Sequence, residues 1–300
     1  MVLKLIKKAV HKFLRLLGYG IHKITPPPVV EPVVEELPVI AEPPPIEVPP
    51  ANLVTIDLDH FYVLPKKDIT YAYDLLYTQH NCDFMKDPRF MEAYRLGRAT
   101  DVHETVLKNY DIYWRIHVLC WAATYAAKLE GDFVDCGVNT GIFSRAIIHY
   151  IDFNSTGKMY YLLDTFSGLD ERFSTPEEME QPLNQKYTTY KDGLYERVQD
   201  TFKDFNVTII KGAVPETLPL VTAEKVAYLS VDMNCIQPEV DTLNYFWDKL
   251  TPGGIIVLDD YGYGNITNEQ KAAHDEFARS KGVEVLSVPT CQGIIIKPLH

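Results

Sequence analysis

The stretch VAYLSVDMNC, one helix's worth of residues, and then PGGIIVLDDYG constrain this chain more than any other part of it. Two apolar runs of strand length flank a helical span, which reads as a pair of parallel strands joined by a crossover helix. Asp232 ends the first run, and Asp259 with Asp260 ends the second. Neighbouring strands lie about 4.8 Å apart, so three carboxylates crowd one edge of a sheet. Like charges that close repel, and either one takes up a proton or all share a cation. Oxygen-only ligands suit a hard ion such as Mg2+ or Ca2+. That edge is also where open α/β sheets bind ligands. A single Asp there is an ordinary turn residue. Three in register on adjacent strands read as metal ligands.

The rest of the chain repeats the pattern. DFVDCG, MYYLLD, NVTIIKG, VAYLSVD and GIIVLDD read as strands. Helices are expected near residues 112–129, 141–150, 192–204, 238–250 and 268–281. The alternation predicts a doubly wound, Rossmann-like α/β sheet, mostly parallel. VEVLSVP and GIIIKP follow without a helix between them, so one antiparallel C-terminal strand should complete it. Ser167 to Gly193 is longer than the usual connection of about two to six residues, and its prolines, acids and tyrosines suit a lid or a plain surface insertion.

Four segments follow. Residues 1–24 carry Leu3, Ile6, Val10, Phe13, Leu14 and Leu17 on one helical face and Lys4, Lys8, Lys12 and Arg15 opposite, the pattern of a basic amphipathic helix. Residues 25–52 are a proline-rich acidic linker. Residues 53–130 form an aromatic, helical cap leading into the core, and 131–300 form the α/β domain. A net charge of −12 argues against a nucleic-acid partner. Five scattered cysteines with no C-x-x-C pair fit a reduced cytoplasmic compartment. The terminal helix would lie at the inner face of a membrane, dock on a partner protein or pack on the domain itself.

In DFVDCGVNTGIFSRAI, Asp135 ends a strand, and Gly137, Val138, Asn139 and Gly141 make the turn into a helix. Glycines there let backbone approach a ligand, and the helix start offers free N–H groups. A dinucleotide fingerprint requires G-x-G-x-x-G. Here the first position is Asp135 and the spacing is G-x-x-x-G, which better suits S-adenosylmethionine, whose amino group takes a carboxylate partner. In YYLLDTFSGL, Asp164, followed by Thr165 and Ser167, stands where nucleoside-binding folds keep an acid for ribose hydroxyls. His117 and His274 are second-rank base candidates, since each sits in a helical pattern.

With these residues in view, the chain from about Asn81 to Pro298 resembles the macrocin O-methyltransferase family, metal-dependent class I methyltransferases that act on sugars of macrolides and other glycosylated products. The carrying segments are GDFVDCGVNTG, YYLLDTFSGL, IIKGAVPETLP, YLSVDMNCIQPE and PGGIIVLDDYG, with the tail HDEFARSKGVEVLSVPTCQGIIIKP. The resemblance implies that Asp232, Asp259 and Asp260 hold Mg2+ and that Asp135, Gly137 and Asp164 lie against S-adenosylmethionine. It departs from the family's D-x-D-x-Y, with Asn234 at the second Asp and no Tyr after it. It does not extend to the N-terminal helix and linker.

The expectation is an S-adenosylmethionine- and Mg2+-dependent O-methyltransferase acting on a sugar or glycosylated small molecule, with Asp232 as the first candidate for proton acceptor. Two other readings stay open, a non-catalytic methyltransferase-like binding module and a catechol-type enzyme. The catechol chemistry wants a lysine where this chain has Cys235.

Overall fold

The computed structural model describes residues 65–101, 111–187, 191–263 and 268–299. The expected helix at 1–24 and linker at 25–52 lie outside these residues. Near the start of the described residues lies a hairpin, β1 (Tyr71–Tyr73) and β2 (Leu76–Thr78), turning through Asp74 and Leu75 with φ of 52° and 58°. Positive φ at both central residues gives a two-residue turn whose twist matches the strands. Helix α1 (Pro88–Arg98) starts where Asp87 accepts the Arg89 N–H at 2.9 Å and Pro88 fills the first helical position. Helix α2 (Tyr113–Ala126) leads into the main sheet.

That sheet is built from β3 (Asp132–Cys136), β4 (Tyr160–Asp164), β5 (Val207–Lys211), β6 (Val226–Val231), β7 (Leu250–Leu258), β8 (Leu286–Ser287) and β9 (Gly293–Ile296). The strand order is β5-β4-β3-β6-β7-β9-β8. All neighbours from β5 to β7 are parallel, and β9 runs antiparallel to both β7 and β8. The single antiparallel strand is where the sequence predicts it. Central β6 is buried at all six positions, as a strand covered on both faces must be, and this explains its unbroken apolar run. Edge β8 is exposed and only two residues long, much shorter than the expected VEVLSVP strand.

Alternate residues feed two apolar layers. Val134, Leu163, Leu229, Val231 and Ile256 meet Leu243, Phe246 and Phe277 on one face. Phe133, Leu162, Tyr228 and Ile255 meet Leu119, Ala123, Ile147 and Phe202 on the other. The covering helices include α2, α3 (Ile142–Ile151), α6 (Leu194–Phe202), α7 (Ile236–Trp247) and α8 (Asn268–Ser280). The segment after β4 holds two short helices that the sequence reading did not anticipate, α4 (Pro176–Glu180) and α5 (Pro182–Tyr187). No helix among the described residues is long and apolar enough to cross a membrane.

The ladder continues one residue past the strand ends. Gly137 donates to Leu163 O at 2.9 Å, Asp232 to Cys136 O at 2.9 Å, and Asp259 to Val231 O at 3.0 Å. The strand order reverses between β3 and β6, which opens a crevice there.

Candidate active site

A cleft of about 760 Å³, counting the part open to solvent, occupies that crevice. The turn after β3 contributes Gly137 and Asn139, and the end of β4 contributes Asp164, Thr165, Phe166 and Ser167. Gly212, Ala213 and Val214 after β5, and Asp232 through Cys235 after β6, close the rest, with part of the Ser167–Ser174 segment as the outer wall. Asp164 accepts N–H groups from Asn139 at 2.8 Å and Phe166 at 2.6 Å. Asn139 and Phe166 take left-handed backbone, with φ of 51° and 54°. These bonds lock the acid at the rim, while burial raises its carboxyl above the usual range.

Three of the expected cofactor residues do not line the cleft. Asp135 is buried, with its carboxylate accepting from Ser144 Oγ at 2.5 Å, and burial pushes it up to about 6. Val138 packs into the apolar layer with Phe133 and Ile147. Gly141, at φ 92°, leaves room for the Phe202 ring. Gly137 is on the wall, yet its missing Cβ serves the protein as well as a ligand: at φ 96° a Cβ would overlap the Asp232 carbonyl. The glycine lets the β3 and β6 loops meet, and the ligand-contact argument alone did not foresee this.

Asp232, Asp259 and Asp260 converge, each offering an oxygen within 4.8 Å of the others. Burial, then the neighbouring Asp259 and Asp260, hold the Asp232 carboxyl well above the ordinary range. Burial likewise pushes Asp260 up to about 6, against the pull of Arg115. Arg115, absent from the sequence reading, is a built-in cation that pairs with two of the three. Its Nη1 donates to Asp259 Oδ2 at 2.5 Å and to Asp260 Oδ1 at 3.1 Å, and its Nε donates to Asp74 Oδ2 at 2.6 Å. Burial opposes the charge on Arg115, but Asp259 and Asp260 outweigh it and keep the guanidinium protonated. A lone arginine in the apolar run IYWRIHVLCW was the available signal, because a buried charge needs partners.

Two more supports were missed. Gln292 donates to Asp259 Oδ1 at 2.9 Å. Glu239, in the first turn of α7, accepts the N–H groups of Met233 and Asn234 at 2.9 and 3.0 Å, fixing the loop that carries Asp232. Neither of the two histidines lines the cleft. His117 stacks on Phe84 with ring centroids 4.1 Å apart. His274 is buried with Nε2 2.9 Å from Glu239 Oε2. Cys235 is buried, and burial raises its thiol far above the range of a useful base, so it does not replace the missing lysine.

A seven-stranded sheet of this order, with the antiparallel β9 inserted between β7 and β8, is the class I methyltransferase fold, and solved structures share it. The O-methyltransferase NovP superposes with a TM-score of 0.50 at 20% identity, covering 61% of this chain and 79% of NovP. The calicheamicin methyltransferase CalS11 superposes with 0.50 at 14% identity, covering 72% and 94%. The chain belongs to the macrocin O-methyltransferase family: residues 116–287 match the family described as Macrocin-O-methyltransferase (TylF). It is 25% identical over 165 residues to 8-demethyl-8-(2,3-dimethoxy-alpha-L-rhamnosyl)-tetracenomycin-C 4'-O-methyltransferase of Streptomyces olivaceus, covering 52% of this chain and 61% of that protein. It is 27% identical over 153 residues to Mycinamicin III 3''-O-methyltransferase of Micromonospora griseorubida, covering 47% and 59%. The matched region thus spans about three fifths of the length of these curated relatives.

Proposed function

We propose that this protein is an S-adenosylmethionine-dependent O-methyltransferase that acts on a hydroxyl of a sugar or glycosylated small molecule with the help of a divalent cation, Mg2+. One observation carries the reading: Asp232 belongs both to the wall of the cleft and to the carboxylate triad. A methyl donor in the cleft and a hydroxyl at the triad would therefore be neighbours, and holding two reactants in line is the main task of such a site. Family membership supports the reaction class. One curated relative is named for a rhamnosyl-bearing substrate, which supports a sugar acceptor.

Gly137, Asn139, Asp164, Thr165 and Ser167 would hold the cofactor, with Asp164 taking the ribose hydroxyls. Asp135, Val138 and Gly141 act from behind by shaping the turn. The oxygen-only donor set of Asp232, Asp259 and Asp260 fits a hard ion. Bound there, Mg2+ would supply Lewis acidity that lowers the pKa of a coordinated hydroxyl. Asp232, which both lines the cleft and belongs to the triad, would accept the hydroxyl proton as the oxygen takes the sulfonium methyl and S-adenosylhomocysteine leaves.

Titration calorimetry with S-adenosylmethionine, with and without Mg2+, combined with methyl transfer to a panel of glycosylated acceptors, tests this. Cofactor binding and transfer that stops in chelator are expected. Transfer persisting in excess EDTA would remove the ion from the scheme. Absence of cofactor binding would leave only a methyltransferase-like binding module.

A further inference from the structure

We infer that Arg115 competes with a divalent cation for the carboxylate triad, and that Asp74 on the hairpin tip sets the strength of that competition. The inference rests on the ion site proposed above and adds the residues that tune it.

The Arg115 side chain is only 9% exposed and stands among carboxylates on two sides. On one side its Nη1 bonds Asp259 Oδ2 and Asp260 Oδ1, two of the three residues of the triad. On the other, Asp74 grips it in a fork, Nε at 2.6 Å and Nη2 at 3.4 Å. The Asp74 side chain is itself only 6% exposed. With Gln292 on Oδ1 and Arg115 on Oδ2, both oxygens of Asp259 already accept from the protein. A carboxylate oxygen has a second lone pair, so an ion can still sit on it. The ion's charge and the guanidinium would then face each other across one carboxylate in a buried setting, where the repulsion is large. Asp74 is the counterweight. It spreads the guanidinium charge toward the hairpin and away from Asp259 and Asp260.

Opposite substitutions should therefore move ion affinity in opposite directions. Arg115→Met removes the competing charge while keeping an unbranched stem. Asp74→Asn removes the counterweight's charge and leaves Asp259 and Asp260 as the carboxylates that face Arg115. The probe is Mn2+, followed by electron paramagnetic resonance titration of the full-length protein without cofactor or acceptor, with the thermal midpoint recorded with and without Mn2+. Arg115→Met should bind Mn2+ about tenfold tighter or more than the unsubstituted protein, and Asp74→Asn about threefold weaker or more. The midpoint of Arg115→Met should also rise more on adding Mn2+ than that of the parent, because the stabilisation by a ligand grows with the logarithm of its concentration over its dissociation constant.

Affinity unchanged or reduced in Arg115→Met would make Arg115 a support for the triad and overturn the competition. Should that variant fail to fold, Asp74→Asn decides alone, and unchanged or tighter binding in it is equally fatal. No Mn2+ binding by any of the three proteins would overturn the ion site itself, and this inference with it. Binding equal in all three would overturn this inference and leave the ion site standing.

Discussion

Asp135 shows how a sequence can place a residue in the fold without revealing the partner its side chain takes. The strand-to-helix turn is where the motif puts it, but the carboxylate faces inward to Ser144 and stays off the cleft wall. Burial pushes its pKa up to about 6 from the ordinary 3.8. The unfolded chain releases this proton near the ordinary value, while the folded chain keeps it until about 6. Between the two the folded state holds the extra proton, so stability falls as pH rises through the window and levels off above it. A shift of that size corresponds to about 3 kcal/mol. Asp135→Asn removes the titration while keeping an oxygen for Ser144. In urea melts, the stability of the unsubstituted protein minus that of Asp135→Asn should drop by about 3 kcal/mol in all from about pH 3 to about pH 7, most steeply between about pH 4 and about pH 6, and then stay flat. A difference that does not change with pH would show that the carboxyl ionises as freely as in the unfolded chain.

At the scale of elements, the strands and long helices were legible because their burial is local and periodic. The apolar runs of β3, β4, β6 and β7 carry their own signature, and α8 (Asn268–Ser280) lies within the span the pattern predicts. The segment after β4 was legible only as a long connection. Its helix α4 is five residues long and owes its existence to one capping box, in which Glu178 accepts the Thr175 N–H at 2.7 Å and its own N–H bonds Thr175 Oγ1 at 3.2 Å. The other oxygen of Glu178 accepts the Ile236 N–H at 2.8 Å, at the start of α7. One buried carboxylate thus joins the outer segment to the helix that follows the Asp232 loop, close in sequence to Ser174 and Cys235 of the cleft wall. Hydrogen bonds to a charged group contribute about 1.5–3 kcal/mol, so breaking this one loosens the closure by an amount that kinetics can read. In Glu178→Ala, S-adenosylhomocysteine should dissociate about tenfold faster in stopped-flow displacement. An unchanged off-rate would mean that the segment does not gate the cleft.

For the whole molecule, the backbone frame and the triad could be read from sequence, but the charge balance of the site could not. Asp232, Asp259 and Asp260 follow from strand ends in register, a short-range rule applied twice. Arg115 lies 144 positions from Asp259, and Gln292 reaches the same carboxylate from the far end of the chain, so neither pairing leaves a local pattern. Glu239 was closer to hand, but its task of tying Met233 and Asn234 appears only once the loop is folded. Residues 1–24 lie outside the described structure, and their reading as a tether rests on the separation of Leu3, Ile6, Val10, Phe13, Leu14 and Leu17 from Lys4, Lys8, Lys12 and Arg15. Such a helix gains from apolar burial at a membrane interface and from anionic headgroups, each basic residue contributing about 1 kcal/mol near the surface. Salt screens the second contribution, so binding should weaken steeply with ionic strength. Co-sedimentation with anionic liposomes should therefore retain the full-length protein at low salt and release a variant that begins at Ala51. Methyl transfer by the shortened protein should be unchanged, since the residues of the proposed active site all lie beyond the linker. Equal binding by both proteins, or none by either, would sink the membrane reading and leave a partner protein or the domain itself as the helix's docking site.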